Sequence, residues 1–192
     1  MILDAARHEF ASAGYAATSI ESVARGAGVS TKTLYRLIPN KAALFEATIT
    51  NRLDRFASQV RLKGCDGDDV ETALREALIA CGELILDEDV IALQRTILGE
   101  SKNFPELAQT FYQKAIRRTE STLASWLKAQ AARGLIAIGD VDVAAGMLLG
   151  MLAFQPQRAA LFGRAAVPSR KELKRRARMC AALFVKGVSS GR

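Results

Sequence analysis

The stretch GVSTKTLYRLIPNK, residues Gly28–Lys41, decides how this chain is read. Ser30 is a natural helix N-cap and Pro39 a natural stop, so the interval between them predicts one short helix. It carries Thr31, Lys32, Thr33, Tyr35 and Arg36, with Leu34, Leu37 and Ile38 left to line a buried side. Just upstream, Val23 and Ala24 lie in a second short helix, Ser19 to about Arg25, and Gly26-Ala27-Gly28 turns the chain before Val29. A small residue at the crossing, a glycine turn and an aliphatic stripe behind the later helix make a helix-turn-helix. Burying that stripe forces Thr31, Lys32, Thr33, Tyr35 and Arg36 outward. There, hydroxyls and cations are able to bond base edges and phosphates in a major groove.

Working outward, a first helix runs from near Met1 to Ala13, with Ile2, Leu3, Ala6 and Phe10 on one side, and ends at Gly14. Thr18 and Glu21 have the T-x-x-E spacing of a capping box for the next helix. Lys41 opens a long fourth helix whose Leu44, Phe45, Ile49, Leu53 and Phe56 recur every three or four positions. The segment KGCDGDD, residues 63–69, is a boundary; a calcium loop starting at Asp66 would need glutamate where Ala77 stands, so Asp68 or Asp69 is expected to cap a helix. That fifth helix reaches about Leu86, with Val70, Leu74, Leu78, Cys81 and Ile85 in a stripe. Others follow at about 88–100, 105–133, 140–162 and 169–187. No alternating strand pattern is present, so the chain reads as all-α with about nine helices.

Composition narrows the function classes. The net charge of +7 is uneven: residues 1–52 hold six Lys/Arg against four acids, 53–163 twelve against fifteen, and 164–192 nine against Glu172 alone. The excess therefore sits in the tail and by itself argues only weakly for nucleic acid. Cys65, Cys81 and Cys180 form no C-x-x-C pair, no signal-peptide pattern is present, and the longest uncharged apolar run, Val143–Phe154, falls short of the ~20 residues that span a bilayer. A soluble cytoplasmic protein without membrane partners is expected. The sole histidine is His8, and there is no Walker loop, dinucleotide fingerprint or metal-ligand spacing. Neither an enzyme nor a cofactor is expected.

Residues 2–48 resemble the DNA-binding domain of the TetR family of bacterial transcriptional repressors. Ala5-Ala6, Phe10, Gly14-Tyr15, Thr18-Ser19-Ile20, Val23-Ala24, Ala27-Gly28-Val29-Ser30, Leu34-Tyr35, Lys41 and Leu44 carry the resemblance. It implies a DNA-binding domain over 1–48 and a helical ligand-binding and dimerisation domain over 49–192. It further implies phosphate contact at Thr18 and Ser19, groove entry by Ser30, Thr31, Lys32 and Thr33, a backbone or thymine-methyl contact at Tyr35, and a phosphate anchor at Lys41. The family usually has His or Tyr where this chain has Leu37, and Phe where it has Ile38; Leu37 donates no hydrogen bond, so one backbone contact is absent.

The larger C-terminal part is less explicit. Asp142–Phe154 is apolar around its circumference and is expected to be buried on nearly every side, with Gly146 and Gly150 allowing close approach; a two-fold interface and an ordinary core helix both fit. The resemblance implies a homodimer through the last two long helices. Such a dimer sets two recognition helices about one DNA turn apart, ~34 Å, on a palindromic operator. Cys81, Phe111, Tyr112, Trp126, Met147 and Met151 are bulky or soft enough to line a pocket for an apolar or amphipathic small-molecule effector, or simply to pack a core. The basic face of the last helix fits DNA contact, pairing with the acidic middle segment, or plain solvation. Together these features lead to the expectation of a ligand-responsive repressor; the alternative is a helical ligand-binding or protein-interaction module that has lost specific DNA binding.

Overall fold

The computed structural model describes residues 1–62 and 69–188. The helices are α1 (Ile2–Ala17), α2 (Ile20–Gly26), α3 (Thr31–Leu37), α4 (Lys41–Leu62), α5 (Val70–Ile85), α6 (Glu88–Glu100), α7 (Pro105–Phe111), α8 (Arg117–Ala132), α9 (Val141–Leu161) and α10 (Arg170–Val188). A π-helical stretch, Tyr112–Ile116, joins α7 to α8. Counting that continuous run once gives nine helices among the described residues, as expected. The single helix foreseen over 105–133 therefore has a wider turn inside it. The Phe56 side chain, Cys65, Asp68 and the boundary at 63–68 lie outside the described residues.

Two compact units emerge, one of Met1–Asp54 with Glu88–Ile116, the other of Arg55–Asp87 with Arg117–Arg192. In the first, α1 packs on α2 and α6. Gly14 has φ 83° and ψ 171°, so the helical path breaks there, as expected, before one further turn to Ala17. A side chain at that φ is strained. An aromatic cluster of Phe10, Tyr15, Phe45 and Phe104 forms the centre, with ring centroids 5.3–5.7 Å apart in stacked and edge-on pairs. Arg7 pairs with Asp89, adding a link from α1 to α6.

In the second unit α5 lies along α10, and a methyl group at Gly82 would overlap Leu173, so the glycine permits this close packing. Asp69 caps α5 through the Thr72 N–H at 3.0 Å. Ser169 and Glu172 close a capping box on α10: Glu172 accepts from the Ser169 N–H at 3.0 Å, and Ser169 Oγ accepts from the Glu172 N–H at 3.3 Å.

Helix α9 contains Pro156, which has no N–H to give the Leu152 carbonyl one turn back. Arg176 of α10 supplies the donor: its Nε reaches Leu152 O at 3.0 Å, with further bonds to Gln155 Oε1 at 3.1 Å and Met151 O at 3.3 Å. One side of α9 is buried in the unit through Ala145, Leu148, Leu152 and Ala153. The other is not. Val143, Met147, Met151 and Phe154 are exposed, Met147 by 64%, and Met179 and Leu183 of α10 are exposed as well. The expectation that Asp142–Phe154 is buried on nearly every side thus fails within one chain, because its circumference serves two surfaces.

Candidate nucleic-acid interface

Helices α2 and α3 have seven residues each, too short to persist without caps and packing. Gly28 ends α2 in a Schellman arrangement: it sits at φ 68°, Val29 N–H reaches Ala24 O at 3.0 Å, and Gly28 N–H reaches Arg25 O at 3.1 Å. Ser30 then caps α3, accepting from the Thr33 N–H at 3.1 Å, while the Ser30 and Thr33 hydroxyls meet at 2.8 Å. Leu34 is fully buried, with Val23 and Ala24 of α2. The small crossing residues, the left-handed glycine and the buried leucine occupy the places the sequence foretold.

With Leu34 inward, α3 presents Lys32, Tyr35 and Arg36 to solvent, and Thr31 and Thr33 are half-buried beside them. Tyr35 is 48% exposed. Leu37 corrects the expected stripe: it is 60% exposed, and Leu34 holds the helix down with only partial help from Ile38. The outward face is therefore cationic and hydroxylic with a leucine at its C-terminal end.

Two other expected site residues, Thr18 and Lys41, make bonds inside the head. The capping box of α2 is made by Ser19 and Ser22, whose side chains exchange bonds with each other's N–H at 3.0 and 3.2 Å, not by Thr18 and Glu21. Thr18 is 2% exposed and its hydroxyl donates back to Gly14 O at 2.7 Å, so its side chain is a buried link within the head. Ser19 stands at the α2 N-terminus, half-buried. Lys41 is the second case. Its ammonium donates to Tyr15 O at 2.8 Å, Thr18 O at 2.9 Å and Ala16 O at 3.2 Å, and lies 4.6 Å from the Tyr15 ring centroid. All three N–H donors are engaged on backbone, so Lys41 positions the α1–α2 junction.

The same junction is held from its other side by a residue that sequence reasoning missed. Glu100, ending α6, accepts from the Ala16 N–H at 2.9 Å and the Tyr15 N–H at 3.1 Å. The carboxylate takes the amides and the ammonium takes the carbonyls of one short segment leading into α2. Nothing local to Glu100 announces this role, since its partners lie about 85 residues away.

The six pocket candidates are divided between the two units. Phe111 and Tyr112 belong to the first unit, the former buried and the latter exposed; Cys81, Trp126, Met147 and Met151 belong to the second. Met147 and Met151 lie on the exposed side of α9, because the small and branched residues of that helix, not its methionines, take the inward positions. Cys81 is fully buried, and burial pushes its thiol up to about 12. Trp126 is buried with its indole N–H unpaired among the described residues. No helix among them is long and apolar enough to cross a membrane, and they contain no group of three or more His, Cys, Asp or Glu placed to hold a metal.

Comparison with known proteins agrees with this geometry. Residues 2–48 match the model of bacterial regulatory proteins of the tetR family, and residues 72–187, more than half of the chain, match that of the AefR-like transcriptional repressor C-terminal domain. The chain belongs to the TetR family of transcriptional regulators. It is 30% identical over 138 residues to the HTH-type transcriptional repressor ComR of Escherichia coli K12, covering 70% of this chain and 65% of ComR. It is 28% identical over 194 residues to the uncharacterized HTH-type regulator YvkB of Bacillus subtilis 168, covering 98% and 96% of the two chains. A TetR-family regulator from Mesorhizobium loti MAFF303099, itself assigned only by family, superposes with TM-score 0.83 at 30% identity, covering 97% of this chain and 94% of that one. TetR-family proteins are regulators and not enzymes, so this TetR-family chain performs its function by binding.

Proposed function

We propose that this regulator is a repressor that binds a palindromic operator as a homodimer in the cytoplasm and is released by an apolar or amphipathic small molecule. In this reading residues 1–48 read DNA, and residues 49–192 dimerise and bind the effector. Ser19, Ser30, Thr31, Lys32, Thr33, Tyr35 and Arg36 face the operator, while Thr18 and Lys41 support them from within the head. The observation that carries it is α3: buried Leu34 fixes the helix, and Lys32, Tyr35 and Arg36 are left together on its free side. Arg and Lys bond guanine edges and phosphates, Thr and Tyr bond phosphates or touch thymine methyls, and the exposed Leu37 adds an apolar contact.

Dimerisation is supported by the exposed apolar side of α9 with Met179 and Leu183 of α10. A second copy related by two-fold symmetry would cover these residues with their own equivalents. Effector release requires different affinity for two conformers; α4, continuous from Lys41 to Leu62, is the element we assign to carry that difference.

Fluorescence anisotropy on duplexes tiling the regulator's own upstream region, at two salt concentrations, tests this. One palindromic duplex is expected to bind tightly and weaken with salt. Tyr35→Ala and Arg36→Ala are each expected to weaken binding by roughly tenfold, about 1–3 kcal/mol, with the oligomeric state unchanged. Uniform weak binding to every duplex would favour a module without specific DNA recognition.

A further inference from the structure

Helix α10 carries a dense set of cations, and the structure sorts them by use. Arg170 pairs with Glu83 of α5 at 3.1 Å, and Arg176 is committed to the α9 carbonyls. Lys171, Lys174, Arg175 and Arg178 have no carboxylate within ion-pair distance among the described residues. These four recur at intervals of three and four, which places them on one face of the helix. They border a cleft of about 770 Å³ whose facing wall is α5, where Arg75, Glu76 and Ile79 complete the lining together with Glu172 of α10.

Two carboxylates, Glu76 and Glu172, share the lining with five cations, which leaves the cleft with an excess of positive charge. Glu76 lies 3.5 Å from Arg75 on its own helix, and Glu172 holds the Ser169 N–H and hydroxyl in the α10 cap. Cations crowded into the first half of a helix repel one another and oppose the positive end of its dipole. The four α10 cations are exposed, and with Arg75 they bring five cations from two helices to the border of one concavity. Such a local conflict is of the kind found at functional sites.

We infer that the α5–α10 cleft is a second ligand site, distinct from the DNA-reading face, for a small molecule bearing two or more phosphate groups. Residues 171 to 178 span ~10 Å of helix, longer than a single tetrahedral anion but matched to a chain of phosphates. Arg75, Arg175 and Arg178 offer guanidinium forks suited to phosphate oxygens, and Lys171 and Lys174 add point charges. Ile79 forms an apolar floor able to take an organic group such as a nucleoside.

Isothermal titration of the full chain with inorganic tripolyphosphate, with orthophosphate as control, tests the site. Tripolyphosphate is expected to bind at one site per chain and orthophosphate at least about tenfold more weakly. Lys174→Gln/Arg178→Gln is expected to cost tripolyphosphate binding about tenfold or more, with an unaltered circular-dichroism melt. Lys32→Gln/Arg36→Gln on α3 is expected to leave it intact. An ATP titration separates the two sources of this chemistry: tighter binding than tripolyphosphate assigns a nucleotide, equal binding the bare phosphate chain. The inference is overturned if the α10 variant binds tripolyphosphate like the parent, if only the α3 variant loses it, or if orthophosphate binds as well. It is equally overturned if the α10 variant loses duplex affinity while keeping tripolyphosphate, which would make the cleft a DNA contact.

Discussion

Lys41 shows how one side chain can close a junction between stretches of backbone far apart in sequence. A lysine has three N–H donors, and here a carbonyl accepts each of them. Lys41→Ala is expected to destabilise the first unit by roughly 1–3 kcal/mol, because charged donors are lost from backbone acceptors. Urea unfolding checks it, and Lys41→Met separates the charge from the packing of the stem. Any loss of operator affinity is expected to track that destabilisation. Cys81 gives a residue-scale prediction in the second unit. Burial lifts its thiol from 9.0 to about 12, so the folded chain keeps a proton that the unfolded chain releases. Its contribution to stability is intact below pH about 9 and is lost as pH rises toward about 12, at up to about 1.4 kcal/mol per pH unit. Cys81→Ala is expected to flatten that slope between pH about 9 and about 10. Tyr15 is raised above its ordinary 10.0 by burial, then by Glu106 and Glu100, and adds the same sign of effect only above that pH. The backbone partners of Thr18 and Lys41 were not legible in the sequence, because the carbonyls they meet are brought to them only by the fold.

At the scale of the element, α9 and α10 show which features were legible. The α3 cap, the Gly28 turn and the α5 stripe followed from periodicity and turn chemistry, which depend on neighbours in sequence. The tie between Arg176 and Leu152 did not, although Pro156 in an apolar helix was a usable signal: a proline four residues on leaves a carbonyl in need of a donor. Arg176→Ala is expected to cost roughly 1–3 kcal/mol, the penalty for an unsatisfied carbonyl at Leu152. Pro156→Ala restores an N–H at that turn and is expected to recover most of the loss. A double-mutant cycle read by thermal unfolding checks it; additive effects would show that Arg176 acts elsewhere. The capping box at Ser169 and Glu172 has the same spacing as the one expected at Thr18 and Glu21, yet only the former forms. At the latter, Thr18 turns back to Gly14 and its carbonyl is drawn to Lys41, leaving Ser19 to begin the helix.

For the whole molecule, the apolar circumference of α9 becomes intelligible when the exposed half is assigned to a second copy of the chain. Met147→Glu with Leu183→Glu places charge on two residues exposed by 64% and 63%. Sedimentation is expected to show monomers, with operator affinity falling at least about tenfold once two half-sites are no longer held together. Persistence of the dimer would move the interface elsewhere. The junction gripped by Glu100 and Lys41 carries a different consequence, for anyone wishing to transplant the DNA reader. Tyr15 and Ala16 lean on a carboxylate in α6, Tyr15 stacks edge-on with Phe104, and Arg7 pairs with Asp89. A graft cut after residue 48 leaves those partners behind. Carrying Glu88–Ile116 along brings them back, so the smallest portable reader is stitched from two separate lengths of the chain.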